Sequence, residues 1–557
     1  MAIEDEIKKL VLANAGQHGG KAQASAVISQ AMAKMPEARG DPKETIALID
    51  ETVNRINKMP MKEQLLEIKK LGLSVTVKKV VRRVGLPELK NAEKGKVVMR
   101  FEPSPSGALH VGHAFVVILN SEYVKKYGGK FYLRFSDTNP DNICVDAYKM
   151  IPEDVRWLTS SDFEIVLQSD RLENYYEYGI EAIKKGHAYV CTCDPEKFRE
   201  LVNAKKACPC RAITPEENMV RWKKMFDGYK QGEAVVRMKT DITHKNPAIR
   251  DWPAFRINDT PHPRTGRKYR VWPLMNFAVP VDDHDFGMTH IIRGKDHITN
   301  TERQKYLYSA FAWKIPEFIH IGRINFTGLK LSTTQTRKAI EEGKYLGFDD
   351  VRLPFLRAFK KRGYRPEAFR KFVTLVGPSA ADKTVSFDNF MKTINSYNKA
   401  IIDPIAPRYF FVPKPTKIKV VGIKKTKIEA PKHPDDKKMG NRELISTDEL
   451  FISKEDAEKL KKGSVIRLKY GTNIRFKTKN NAEISSDNII KGIPIIQWVS
   501  TTANVPVKMI LPSGKKLVGF SEPNINDIKD SVVQFERVGF ARVVKEGKDI
   551  VAYMLHK

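Results

Sequence analysis

The 557-residue chain has no apolar run approaching the ~18 residues that a membrane-crossing helix needs, so no such helix is expected. Its first stretch, MAIEDEIKKLVLANAG, is acidic at once and carries no apolar segment followed by a cleavage site, which predicts a cytoplasmic protein. Cysteine is scarce. Five residues, an odd count, argue against a disulfide framework. Neither an internal repeat nor a low-complexity tract is present, which removes repeat architectures and linker-like segments. Acidic residues are also short, with 66 Asp plus Glu against 97 Lys plus Arg and a net charge of +31. That excess suits a polyanionic partner, because each neutralised phosphate releases counterions. The apolar share of 41% is ordinary, and the length suggests about three to five domains.

Texture changes along the chain. Residues 1–92 read as helices: Asp41 as N-cap, Pro42 at the first position and Glu44 as capping-box partner precede Ile46, Ile49, Val53 and Ile56 at helical spacing. Val97 to Phe101 is a short buried-strand pattern, followed by a Pro/Gly loop, a helix from about His110 to Lys126, a GG turn and the strand KFYLRFSD. This is a βαβ unit, so a parallel sheet is expected. From about 185 to 270 the pattern is mixed, and THIIRG (289–294) then returns to strand, so the middle segment interrupts one sheet. Helical patterns run from about 350 to 400. Beyond them KIKVVGI, SVIRLKY, IRFKT and VVQFERVGFARVV predict one or two β-barrels.

Four of the five cysteines, Cys191, Cys193, Cys208 and Cys210, form two C-x-C pairs. Four thiolates on two short turns make a tetrahedral S₄ site, which selects zinc. Disulfides and buried free thiols are the alternatives. Cys144 stands apart and reads as a core residue.

The loop PSPSGALHVGHAF (103–115) places His110 and His113 on one face of the first turn of an apolar helix. There the helix dipole and unpaired N–H groups favour an anion, and glycines permit close approach. RFEPSPSGALHVGHA resembles the HIGH motif of class I aminoacyl-tRNA synthetases in their glutamyl and glutaminyl form. FTGLKLSTTQTRKAI resembles their second motif, KMSKS, at Lys330 to Thr334, and WPLMNFAVPVDDHDFGMTHIIRGKDH (272–297) resembles their amino-acid-binding stretch. The three fall in the family's order, and a β-rich carboxyl half suits its archaeal and eukaryotic branch.

The resemblance implies a multidomain α/β protein. Residues 93–185 and 271–345 would form the two halves of a Rossmann-like catalytic domain, interrupted at 186–270 by a domain for the tRNA acceptor end. A helical stem-contact region (346–402) and anticodon-binding barrels (403–557) would follow, with 1–92 as an appendage. The implied reaction attaches glutamate to tRNA(Glu) through glutamyl-adenylate, with ATP and Mg²⁺ as substrate; charging of tRNA(Gln) is left open, and a monomer is expected. His110, Gly112, His113, Lys330 and Ser332 would hold ATP, the histidines as phosphate donors. Arg100, Glu102, Ser104, Asp137, Met275 and Arg293 would contact the amino acid. Arg293 stands where glutamyl members carry arginine and glutaminyl members do not, and a guanidinium grips a γ-carboxylate bidentately.

Three positions depart from the family pattern. Ser136 replaces the carboxylate for the substrate amine, with Glu102 or Asp137 as substitutes; Met275 replaces a tyrosine; Thr333 replaces the second KMSKS lysine, with Arg337 or Lys338 to supply its charge. DDHD (282–285) and KDH (295–297) read as pocket-shaping or cation-pairing residues. Residues 414–438 hold nine lysines against three acids, a surface for the tRNA backbone. The competing readings are a glutaminyl enzyme, a non-catalytic tRNA-binding paralogue, and an RNA-modifying relative that lacks anticodon domains.

Overall fold

The computed structural model describes residues 2–73, 85–329 and 331–557; Lys330 lies outside the described residues. The chain divides into two compact units, Met1–Val84 and Gly85–Lys557.

In the first unit the helices Ala2–Gln17, Ala24–Lys34, Pro42–Lys58 and Met61–Lys70 enclose Ile7, Val11, Val27, Ile49, Val53, Ile56 and Ile68. Asp41 caps the third helix, accepting from the N–H groups of Lys43 and Glu44. Ile46, expected on the buried face, is 37% exposed instead, because the buried stripe runs through Thr45, Ile49, Thr52, Val53 and Ile56 and Ile46 stands at its edge.

The second unit opens with the predicted βαβ unit. Val98–Phe101, Lys130–Phe135 and Glu164–Leu167 form a parallel sheet, and His290–Gly294 pairs in parallel with Glu317–Ile321. Thr289 N–H donates to the Val98 carbonyl at 3.0 Å, which lays the second pair beside the first. The strand order therefore reverses between Val98–Phe101 and His290–Gly294, the switch point where α/β sheets bind ligands at their carboxyl edge. The helix Val111–Tyr127 runs between the first two strands. Gly128 ends it at φ 69°, and a Cβ on Gly129 would sit 1.9 Å from the Val97 carbonyl, so both glycines of the turn are required.

Residues between the two halves fold as a four-stranded antiparallel sheet, Ala188–Cys191, Val235–Met238, Pro253–Ile257 and Val271–Pro273, around Tyr176, Trp222, Trp252, Phe255 and Trp272. The helices Leu356–Arg362, Pro366–Val376 and Phe387–Ile402 extend the main core through Leu356, Phe359, Phe369, Phe390 and Ile394. A short parallel pairing of Ile324–Thr327 with Lys383–Ser386 interrupts this stretch, which the sequence predicts as helical only.

Two seven-stranded sheets complete the chain. The outer one runs Arg408–Tyr409, Asp530–Phe535, Gly539–Glu546, Asp549–His556, Val505–Ile510, Lys516–Ser521, Phe411–Pro413. Its two edge strands are consecutive in sequence, separated by Phe410 alone, so the sheet curls into a nearly closed barrel with no long free edge. The nested one, within 415–500, closes the same way: its edges Ile495–Ile496 and Val499–Ser500 are joined by Gln497 and Trp498. The Gln497 amide clamps both closures, accepting from Phe411 N–H at 3.3 Å and donating to its carbonyl at 2.8 Å. VVQFERVGFARVV is two strands; its turn places Arg537 at φ 60°, and Gly539, at φ 143°, opens the second strand.

Candidate active site

His110 is the N-cap residue of Val111–Tyr127. Its Nδ1 accepts from Gly112 N–H at 3.1 Å, and His113 Nδ1 accepts from His110 N–H at 3.2 Å, a reciprocal cap built from imidazoles. The rings stack with centroids 3.8 Å apart. Because each Nδ1 accepts, each ring proton sits on Nε2. Burial pushes His110 down to about 4 and His113 well below the ordinary range, so both are neutral N–H donors near pH 7. A Cβ on Gly112 would lie 2.9 Å from His110 Cε1; the glycine makes room for the stacked ring.

The depressed His110 pKa carries a stability consequence. The unfolded chain binds more protons between pH 6.5 and about 4, so the stabilisation is complete above pH 6.5 and is lost as pH falls through that window. Melting temperatures measured from pH 7 to pH 4 are expected to fall less steeply for His110→Asn, which keeps a capping acceptor but has no titrating ring. Parallel curves would refute the assignment.

The second motif loop lies against this turn. Leu331 Cδ1 and Thr333 Cγ2 approach Gly112 and Gly107 so closely that added Cβ atoms would meet them at 3.3 and 2.6 Å. Ser332 caps the helix Thr333–Glu341, its Oγ accepting from Gln335 N–H at 3.3 Å. Pro354 and Leu109 carbonyls accept from Val111 and Leu356, stitching the histidine turn to the following helix. Arg337 pairs with Glu341 at 3.7 Å and Lys338 is exposed.

A cavity of about 180 Å³ lies at the switch point, lined by Arg100, Glu102, Ser136, Met275, Arg293 and His297 over apolar walls. Beneath it is a buried charge lattice. Arg134, with no exposed side-chain surface, donates to both Glu102 oxygens at 3.0 and 3.1 Å and to Asp283 at 2.6 Å. Arg100 donates to Asp283 at 3.1 Å, and Asp282 accepts from Arg171, Gln168 and Tyr175. Thus DDHD pairs with cations, as its sequence context suggested. Arg293 differs: it is 8% exposed and, among the described residues, donates only to Thr301 and Gln304, with no partner for its Nε. Burial and the neighbouring Arg100 bring its pKa down to about 10.

Two expected contacts lie elsewhere. Asp137 is fully buried outside the cavity, its oxygens taken by Ser169 and Tyr148; Ser104 is exposed on the loop and does not line the cavity. The sequence did not single out Arg134 or Gln168; His297, within the KDH stretch read as pocket-shaping or cation-pairing, lines the cavity. A lone arginine inside the buried strand FYLRF was the available signal for the first.

In the inserted module Cys191 and Cys208 Sγ atoms lie 3.9 Å apart, Cys193 and Cys210 3.6 Å, and no disulfide joins them. Cys191, Cys193 and Cys208 fall within 4.8 Å of one another. A tetrahedron with Zn–S of about 2.3 Å has edges of about 3.8 Å, so the sulfurs of Cys191, Cys193 and Cys208 suit zinc, while Cys210 approaches Cys193 but stands outside that group.

Residues 96–403 match the family model described as tRNA synthetases class I (E and Q), catalytic domain. The chain belongs to this family. Residues 406–492 and 495–544 of the synthetase match the family's two anticodon-binding domain models. Along its whole length, and theirs, it is 46% identical to the glutamate–tRNA ligase of Pyrococcus horikoshii, 45% to that of Pyrococcus abyssi and 43% to that of Methanothermobacter thermautotrophicus.

Proposed function

We propose that this synthetase attaches glutamate to tRNA in two steps. The glutamate α-carboxylate attacks the α-phosphorus of ATP; the new P–O bond forms as the bond to the pyrophosphate oxygen breaks, giving glutamyl-adenylate. A terminal ribose hydroxyl of tRNA then attacks the acyl carbon and AMP leaves. Neither step needs a protein nucleophile, so positioning and charge stabilisation dominate. His110 and His113 offer neutral Nε2–H donors to the phosphates, with Lys330, Ser332 and the backbone at Gly112 completing the nucleotide site. Mg²⁺ bound with ATP shares the phosphate charge. Arg100, Glu102 and Met275 surround the amino acid, and Arg293 meets its γ-carboxylate.

The observation that carries the amino-acid choice is the buried Arg293 guanidinium, which has no carboxylate of its own among the described residues. A glutamine amide would leave it unpaired. Zinc on Cys191, Cys193, Cys208 and Cys210 would hold the inserted module together. The strand Pro415–Val421 exposes Lys417 and Lys419 while burying Ile418 and Val420, which suits a tRNA backbone on its outer face. ATP–pyrophosphate exchange in the presence of tRNA is expected with glutamate and not with glutamine. Exchange with glutamine instead would overturn the selection by Arg293, and none with either would favour a non-catalytic tRNA-binding role.

A further inference from the structure

The residues that hold Arg293 are neutral. Its Nη2 donates to Gln304 Oε1 at 2.9 Å and to the Thr301 hydroxyl, and its guanidinium lies 4.7 Å over the Phe318 ring. Gln304 has no exposed surface and Thr301 only 2%. Both are themselves fixed. Thr301 Oγ1 donates to the His297 carbonyl at 3.1 Å and bonds His320 Nε2 at 2.8 Å. Gln304 Nε2 donates to Asn276 Oδ1 at 3.4 Å, Asn276 to Asn300 Oδ1 at 3.3 Å, and Asn300 bonds His297 Nδ1 at 3.1 Å. This relay of amides begins at Arg293 and ends at His297, two residues of the cavity wall.

The contrast with the adjoining arginines is chemical. Arg100 and Arg134 are each held by carboxylates, and so have their charge answered from within the protein. Arg293 is held just as firmly by an amide and a hydroxyl, which orient a guanidinium without neutralising it. Asp283 and Glu102 act on Arg293 from a distance without contacting it, and burial with the neighbouring Arg100 outweighs them, so a carboxylate entering the cavity supplies the direct partner that the buried cation lacks. We infer that Gln304 is a positioning and specificity residue: with Thr301 it locks Arg293 in place without a contacting carboxylate, so that a substrate bearing a terminal carboxylate completes the pair. This rests on the proposed glutamate reading of the same cavity.

The isosteric variant Gln304→Glu tests it, assayed in the full chain by ATP–pyrophosphate exchange with saturating tRNA. An internal carboxylate then competes with the substrate for Arg293. The expected result is a rise of about 100-fold in KM for glutamate, kcat within about 3-fold of the parent, and a fall of about 100-fold in the glutamate-to-glutamine ratio of kcat/KM. Gln304→Met and Thr301→Val, which loosen the clamp without adding charge, are expected to raise KM by about 10-fold with kcat retained. Should Gln304→Glu fail to fold, as judged by circular dichroism, these two variants decide. KM and discrimination within about 3-fold of the parent would overturn the inference. If the parent itself does not use glutamate, the proposed function fails instead, and the two failures are distinguishable because the parent is always assayed alongside.

Discussion

Arg293→Leu is expected to lower kcat/KM for glutamate by about 10³-fold without lowering the melting temperature. The two signs follow from one fact. A buried guanidinium with no carboxylate in contact among the described residues, and only the more distant Asp283 and Glu102 to offset its burial, contributes little to the free protein, and replacing such a charge by an apolar side chain is often neutral or stabilising. The same guanidinium, paired with an incoming carboxylate in a desolvated cavity, is worth about 2–5 kcal/mol, or roughly 30- to 5,000-fold in affinity. Loss of its contacts to Thr301 and Gln304 works against the stability gain, since both acceptors remain buried. Steady-state exchange kinetics and a thermal melt on one preparation check the pair of outcomes. A variant that loses activity and unfolds early would mark Arg293 as structural, and one that keeps both would remove it from the site.

Cys208→Ser is expected to abolish zinc binding and loosen the inserted module, with aminoacylation falling by about 100-fold or more. Structural zinc sites contribute about 10–16 kcal/mol of apparent binding free energy, more than a small module can replace by packing. Here the sulfurs join the end of the strand Ala188–Cys191 to the turn at Cys208–Cys210, and Tyr189 beside them ties to Asp251 at 2.8 Å. Metal analysis of the parent is expected to find about one zinc per chain, and limited proteolysis of the variant to cut within 186–270. A parent purified without zinc, showing the same protease pattern as the variant, would dispose of the metal reading.

How much of this was legible in sequence depends on how local the chemistry is. The histidine turn, the βαβ unit, the C-x-C pairs and the arginine of THIIRG each lie within a few residues, and all are recovered as local structures. The charge lattice was not legible, because Arg134 meets Glu102 and Asp283 only after three elements have packed. Nor was the role of His110 Nδ1 as the cap of its own helix, which leaves the ring proton on Nε2; the rotamer decides that. Asp137 lies past the end of the strand Lys130–Phe135, where contacts distant in sequence, Tyr148 and Ser169, take its oxygens outside the cavity. The positive φ of a non-glycine residue such as Arg537 leaves no compositional trace.

The nesting of the two barrels sets an order of events on the ribosome. Tyr409 pairs with Phe535, 126 positions later, an interval of about 6–25 s at ~5–20 residues per second of synthesis. The nested barrel, complete by Ser500, folds during that wait while Tyr409, Phe410 and Phe411 remain without their strand partners. The last strand, Asp549–His556, lies in the middle of the outer sheet, between Gly539–Glu546 and Val505–Ile510, and Arg362 bonds its Met554 and Leu555 carbonyls. Closure of the outer barrel, and its seating on the helices that reach the histidine turn, therefore waits until Asp549–His556 has been made, because until then Gly539–Glu546 and Val505–Ile510 lack the strand between them.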